Sequence, residues 1–286
     1  MKTQKTAIMY AVLAAALYAL NAPISKLLLV QIPSTMMAGL LYLGAGLGMF
    51  FMEKLKKNKE ELPLTKAELP YTIAMVVLDI AAPIFLMIGL TKCSAANASL
   101  LNNFEIVATS LIALFIFKET IHKRLWLAII FVTFSSILLS FEDMSSLTFS
   151  WGSIFVLFAC VCWGLENNCT RMLSSKNPAQ VVIIKGFGSG LGSLLLSLIL
   201  GERFIGIGYI ILALILGFVA YGLSIYFYIY AQRDLGAAKT STYYAISPFI
   251  GATLSLVIFR ELPSMIFIIA LIIMAIGTYL SSTSDN

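Results

Sequence analysis

The stretch Ser94–Glu119, SAANASLLNNFEIVATSLIALFIFKE, decides the fold, because a related stretch follows 142 residues later as Gly236–Glu261, GAAKTSTYYAISPFIGATLSLVIFRE. Each is an apolar run that begins near an Ala-Ala pair and ends in a basic residue followed by glutamate. About 20 helical residues cross a hydrocarbon core about 30 Å thick, so each run is long enough to span a membrane. The recurrence of the charged pair at the same helix end indicates an internal duplication of membrane helices.

The composition of the whole chain agrees with a membrane protein. Of 286 residues, 60% are apolar and 12% are charged, and the mean hydropathy is +0.94. Soluble domains are about half apolar and about one quarter charged. The net charge of +5 comes from basic residues in short loops rather than in clusters, which argues for membrane orientation and against nucleic-acid binding.

Apolar windows between charges and turn residues predict an all-α integral membrane protein of ten spans. The predicted spans are Ala7–Val30, Ser34–Met52, Leu69–Leu90, Ala95–Phe117, Leu125–Phe141, Trp151–Thr170, Val181–Leu200, Ile205–Tyr230, Ala237–Phe259 and Met265–Leu280. Placing both termini in the cytoplasm puts most of the 19 basic residues on the cytoplasmic side, as the positive-inside rule requires. We therefore expect a multi-pass protein of the cell (plasma) membrane.

The duplication divides the chain into residues 1–143 and 144–286, each with five predicted spans. Because five is odd, the second copy must enter the membrane from the opposite side, which gives two inverted repeats. Transporters are often built in this way, since a central site is exposed alternately when one half rocks against the other. The pattern favours transport over a duplication kept only for packing.

Several short motifs carry a resemblance to a known family: Gly89-Leu90, the sequence LLNNFE at 100–105, and Trp163-Gly164. With the repeated helix ends, they resemble the drug/metabolite transporter (DMT) superfamily, in particular its ten-helix EamA-like members. The resemblance implies two EamA-like domains around a central cavity and export of amino acids, other metabolites or drugs without ATP. Tyr18-Ala19 departs from the Trp-Gly pair expected in the first span, and the expected mid-helix proline occurs only as Pro248.

Four ionisable residues interrupt the predicted spans well away from the loops: Asp79, Glu105, Glu166 and Lys185. A charge at mid-helix costs about 2.5–3.5 kcal/mol on insertion scales, so these groups should face the protein interior, pair or line water. The similar depths of Glu166 and Lys185 allow an ion pair, and the residues leave open whether it is static or acts in transport.

Of these four residues, Glu105 is the strongest candidate for a functional role. Asn102 and Thr109 lie on the same helix face, so the carboxylate is flanked by hydrogen-bonding side chains. It could bind a substrate amine or exchange a proton. Asp79 lies four residues before Pro83 in the third span, and the sequence does not separate a role at the proline kink from a role in a cavity.

Helix breakers and aromatic residues extend the candidate site. Pro23, two residues after Asn21, and Pro248 predict kinks whose free backbone groups could contact a solute. Glycines at 186, 188, 190 and 192, and at 44 and 48, predict close helix contacts. The candidate substrate- or proton-binding residues are Glu105, Asn102, Asp79, Glu166, Lys185, Asn21, Trp163 and Tyr244.

These features predict a secondary transporter that exports a small metabolite such as an amino acid or amine by alternating access, with proton coupling left open. The open alternatives are an importer or exchanger of another metabolite or drug, and an intramembrane lipid-modifying enzyme. HExxH and GxSxG motifs are absent from the sequence, so no enzyme activity, cofactor or metal is expected. The expected partners are a small-molecule substrate and the lipid bilayer, with protons and a homo-oligomer left open.

Overall fold

The structure is a computed structural model that describes residues 2–55, 62–116, 118, 123–143, 148–173, 175–203, 206–235, 240 and 243–282. Glu119 and the predicted start of the ninth span at 237–239 lie outside these residues. In the described part of the chain, eight helical stretches are long and apolar enough to cross a membrane, and Ser247–Phe259 and Met265–Ser281 are shorter apolar helices. The chain is therefore a helical, multi-pass membrane protein.

The helices are numbered in chain order. In residues 1–143 they are α1 (Lys2–Ala19), α2 (Asn21–Leu28), α3 (Ser34–Leu55), α4 (Leu69–Lys92), α5 (Ala95–Leu101), α6 (Phe104–Phe115) and α7 (Lys123–Ser140). In residues 144–286 they are α8 (Trp151–Arg171), α9 (Pro178–Ile199), α10 (Ile207–Gly217), α11 (Ser224–Leu235), α12 (Ser247–Phe259) and α13 (Met265–Ser282). A short antiparallel ladder, β1 (Phe141–Asp143) with β2 (Thr148–Phe149), joins α7 to α8 and was not predicted.

Among the described residues, four predicted spans are not continuous α-helices, and one of them is the ninth, in which a turn at residues 245–246 precedes α12 and Pro248. The first is interrupted at Leu20, just before the Asn21 and Pro23 segment, so that α1 gives way to α2. The fourth is interrupted at residues 102–103, between α5 and α6. A further irregularity is the six-residue π-helix Phe218–Leu223 that joins α10 to α11. Such π segments inside α-helices are frequent at functional sites.

The predicted glycine contacts hold α3 against its neighbours. A Cβ atom added to Gly186 of α9 would lie 2.4 Å from the Cα atom of Gly46, and one added to Gly44 would lie 2.0 Å from the carbonyl oxygen of Leu214. Neither position leaves room for a side chain. The α3 backbone therefore approaches both α9 and α10 more closely than larger residues would allow.

Most of the helix packing joins the two halves of the chain. Helix α3 packs against α9, α4 against α8, α7 against α13, α1 against α11, and α5 against α12. At the contact of α5 with α12, a Cβ atom on Gly251 would lie 3.0 Å from the Ser99 hydroxyl oxygen. The interface between the halves thus runs through the centre of the molecule, where buried polar residues also lie.

Two helix ends have the same unusual backbone conformation. Lys118 has a φ of 58° and Arg260 has a φ of 53°, so both lie in the left-handed region, which residues other than glycine and asparagine rarely adopt. Arg260 forms the C-cap of α12. The two residues occupy equivalent positions under the 142-residue shift that relates the two stretches quoted above.

Substituting Gly186→Ala tests the close contact of α9 with α3. The added methyl group would overlap the Gly46 backbone, which cannot move without shifting a helix, so overpacking should cost about 1–3 kcal/mol. We expect a lower Tm in detergent-purified protein. Gly208→Ala in α10 is the matched control, because no atom lies within 4 Å of its added Cβ, and it should leave the Tm unchanged or raise it. Equal Tm values for both variants would contradict the packing described here.

Candidate functional site

A cavity of about 480 Å³ lies between the halves, within the size range of small-molecule sites. Six of the candidate residues line it: Asn102, Glu105, Trp163, Glu166, Lys185 and Tyr244. Asp79 and Asn21 do not line the cavity but lie behind its wall. There Asp79 contacts Lys185 and Asn21 contacts Tyr221, and both of these partners line the cavity. The structure thus gathers the residues that the sequence singled out around one space.

Three of the four ionisable residues that the sequence singled out within the spans form one buried cluster. The Lys185 ammonium lies 3.1 Å from Asp79 Oδ2 and 2.9 Å from Glu166 Oε1, so it bridges two carboxylates. The Tyr42 hydroxyl donates to Asp79 Oδ1 at 2.8 Å, and the Thr170 hydroxyl donates to Glu166 Oε1. We refer to Asp79, Lys185 and Glu166 as the ionic triad.

The triad changes the interpretation of Asp79. The contact considered between Glu166 and Lys185 is present, and Asp79, whose role the sequence left open, binds the other side of the same ammonium group. Its side chain is fully buried, at 0% exposure. A buried carboxylate needs such a partner, since an unpaired charge at this depth would cost several kcal/mol.

Glu105 lies apart from the triad, at the start of α6. The interruption of the span at 102–103 puts Glu105 in the first turn of a new helix, where the positive end of the helix dipole favours a carboxylate. Its Oε1 atom accepts a hydrogen bond of 2.6 Å from Asn167 Nδ2, which also lies 3.4 Å from the Thr109 hydroxyl oxygen. The carboxylate therefore faces the cavity with a neutral donor rather than a fixed cation.

The helix interruption has its own hydrogen-bond pattern. The amides of Asn103 and Glu105 donate to the carbonyl oxygens three residues earlier, at 3.2 and 3.1 Å. Three-residue spacing of this kind tightens the helix and often marks a functional hinge. At the same interruption, Asn102, with 8% of its surface exposed, lies in the cavity wall.

Tyrosine rings form another part of the cavity wall. The rings of Tyr42 and Tyr221 lie 5.1 Å apart, those of Tyr18 and Tyr221 lie 5.8 Å apart, and those of Tyr228 and Tyr244 lie 5.0 Å apart. Tyr221 comes from the π-helix, and its hydroxyl oxygen accepts a hydrogen bond of 2.9 Å from the Asn21 amide. Asn21 thus holds Tyr221, which lines the cavity, without lining the cavity itself.

Sequence reasoning missed two of the residues that complete the site. Asn167 binds Glu105, and its signal was the run Glu-Asn-Asn at 166–168 inside an otherwise apolar span. Tyr42 binds Asp79 from α3, a helix rich in small residues, and no local pattern distinguished it from other tyrosines. No group of three or more histidine, cysteine, aspartate or glutamate side chains placed to hold a metal ion occurs in the described ranges.

The cavity reaches one end of α8 only. Its lining includes Arg171 at the C-terminal end of that helix and Lys176 beyond it. At the other end of α8, the backbone of Gly152 packs against Cys93, and the Lys26 ammonium donates to the carbonyl oxygens of Leu90 and Cys93, the latter at 2.7 Å. The helix ends at Lys26 and Cys93 are not part of the lining.

A comparison with known protein families identifies the class of molecule to which this cavity belongs. The model of the EamA-like transporter family matches residues 5–141 and again residues 150–283. The chain belongs to the EamA-like transporter family. It is therefore a membrane transporter, and the suggested membership of the DMT superfamily is consistent with this match.

Curated relatives of this EamA-like protein carry transporter names. An "uncharacterized transporter" of Methanothermobacter thermautotrophicus is 24% identical over 283 residues, which cover 92% of this chain and 82% of the relative. The "uncharacterized transporter YyaM" of Bacillus subtilis is 21% identical over 216 residues, covering 72% and 70% of the two chains. A solved crystal structure superposes with a TM-score of 0.69 at 16% identity and covers 96% of each chain, which shows a shared fold.

The ionic triad of the EamA-like protein predicts a specific stability cycle. Lys185→Met should lower the Tm sharply, because it leaves two buried carboxylates without their cation, and removing one partner of a buried pair costs about 3–5 kcal/mol. Adding Asp79→Asn should restore part of the loss, since only one of the two carboxylates, Glu166, then remains charged without its cation. Thermal unfolding of the purified single and double variants measures both effects. A double variant no more stable than Lys185→Met would contradict the shared ion pair.

Proposed function

We propose that this protein is a secondary carrier that moves a small amine-bearing metabolite across the membrane by alternating access, working as an exporter. The observation that carries the proposal is the excess of carboxylates in and directly behind the central part of the cavity, where Asp79, Glu105 and Glu166 lie with the ammonium of Lys185; the other cations of the lining, Arg171 and Lys176, lie at the end of the cavity beyond Thr170. A low-dielectric pocket with that imbalance favours a positively charged ligand.

The shape of the cavity supports an amine with an apolar or aromatic body. Tyr18, Tyr221, Tyr244 and Trp163 line it, and aromatic faces attract cations as well as packing against rings. A free carboxylate on the ligand would need a cation, and Lys185 is already bound by two acidic side chains. A monoamine therefore fits the central part of the cavity better than an amino acid does.

The proposed inverted repeats provide the mechanism of exposure. Under that arrangement the second, fourth and fifth spans should each meet their own counterparts, as α3 with α9, α5 with α12 and α7 with α13 do. The first span of each half should meet the third span of the other, which is the relation of α1 to α11 and of α8 to α4. The matching left-handed residues Lys118 and Arg260 further support the repeat.

The direction of the cavity supports an inward-facing resting state. The positive-inside topology assigns the Arg171 end of α8 to the cytoplasm and the Lys26 end to the outside. A cavity open toward Arg171 receives cytoplasmic solute, and the contacts of Lys26 with the end of α4 close the far side. Export then requires these outer contacts to open as the halves rock.

Glu105 is proposed as the site at which the substrate amine or a proton binds. Among the described side chains, the neutral Asn167 is the one that donates a hydrogen bond to it, so its charge is the least compensated of the three carboxylates. A carboxylate in this setting can take up a proton when the substrate leaves. Proton exchange at Glu105 would couple export to the proton gradient.

Transport of three compounds with one aromatic body tests the proposal. Purified protein in liposomes should move 2-phenylethylamine, a cation, more readily than phenylalanine, a zwitterion, and should not move phenylacetate, an anion. Glu105→Gln should lower amine transport by about tenfold or more, because losing the carboxylate removes a charge-assisted contact worth at least about 1.4 kcal/mol. Glu261→Gln, an exposed glutamate beyond α12, is the matched control and should transport normally.

Two results would reject the proposal. One is the absence of transport of all three compounds under any proton or solute gradient. The other is equal amine transport by wild type and Glu105→Gln, which would remove Glu105 from the site.

A further inference from the structure

We infer that Lys185 is a built-in substitute for the substrate's ammonium group. In the empty carrier it neutralises Glu166. When a substrate amine passes from Glu105 to Glu166 within the same cavity, Lys185 remains on Asp79 alone. The inference rests on the proposed transport of amines and adds to it a specificity-determining role for the triad.

The two carboxylates of the triad are not equivalent. Glu166 lines the cavity, whereas Asp79 lies behind Lys185 with no exposed side-chain surface. A ligand in the cavity can therefore reach Glu166 but not Asp79. The ammonium group of Lys185 lies within 3.1 Å of both acids, so it can give up one contact and keep the other without travelling across the site.

Each carboxylate also has a hydroxyl donor of its own. The Tyr42 hydroxyl donates to Asp79 at 2.8 Å and fixes the acid that keeps Lys185. The Thr170 hydroxyl donates to Glu166 and holds the acid that would receive the ligand. Both carboxylates thus keep their positions when Lys185 moves from a bridging position to Asp79.

The charges of the triad favour this exchange. Two carboxylates and one ammonium leave the cluster with one excess negative charge while the cavity is empty. A ligand ammonium on Glu166 produces two neutral ion pairs, Asp79 with Lys185 and Glu166 with the ligand. Because an unpaired buried charge is costly, the site binds one positive charge without leaving any group unpaired.

The exchange explains how a carrier can bind an amine at a buried acid and still release it. Without an internal cation, Glu166 would be unpaired after the ligand leaves. The empty carrier would then have to bury an unpaired carboxylate, which is costly. With Lys185 as competitor, every departure of the ligand restores an ion pair. The same competition rejects neutral ligands, which cannot replace the lost contact with Lys185.

The decisive variant removes the competitor and keeps the net charge. Asp79→Asn/Lys185→Met leaves Glu166 as the only charge of the triad, so the cluster still carries one negative charge. If Lys185 competes with the ligand, 2-phenylethylamine should bind about tenfold more tightly, since close charge pairs couple by at least about 1.4 kcal/mol. Tighter binding should slow release, so the maximal transport rate should fall.

The experiment measures the Kd for 2-phenylethylamine on the detergent-purified protein and the KM and maximal rate in liposomes. Asp79→Leu/Lys185→Met has the same net charge and no buried amide, and it provides a second version if the first does not fold. A Kd equal to that of wild type in either folded double variant would overturn the inference and make the triad a static support. In that case, amine transport by wild type would still uphold the proposed function. Failure of wild type to bind or transport the amine would reject both.

Discussion

Buried charge is the constraint on which the rest of the structure depends. Asp79, Glu105, Glu166 and Lys185 lie on helices that are otherwise apolar, and none of them is stable against lipid. The chain meets this constraint by joining three of the charges in one triad and by placing the fourth at the start of a helix beside an amide donor. Because these residues come from both halves of the chain, satisfying them also brings the halves together around a cavity.

The backbone irregularities and the small residues position this site. The interruption before α6 aims Glu105 into the cavity, and the π-helix does the same for Tyr221. Glycine contacts between α3 and α9 bring Tyr42 and Lys185 close enough to share Asp79. A carrier needs both properties, since rigid close packing preserves the polar site while broken helices provide places at which the halves can bend.

Much of this arrangement follows from sequence, and the remainder has identifiable physical reasons. Apolar length and the charged helix ends predicted the helical membrane fold, and the cost of charge in lipid predicted that Glu105, Glu166 and Lys185 face inward. The placement of Asp79 on Lys185 was not predictable, because it depends on how three helices rotate against one another. The break at 102–103 was also missed, since no proline or glycine marks it.

Alternating exposure of the cavity is the central claim, and solvent access to Thr109 in the cavity wall tests it most directly. A cysteine at this position, Thr109→Cys, in protein whose native cysteines are replaced, can be labelled with a membrane-impermeant thiol reagent in vesicles of either orientation. We expect labelling from the cytoplasmic side in the empty carrier and additional labelling from the outer side when 2-phenylethylamine is supplied. Labelling from one side only, with and without the amine, would contradict alternating access.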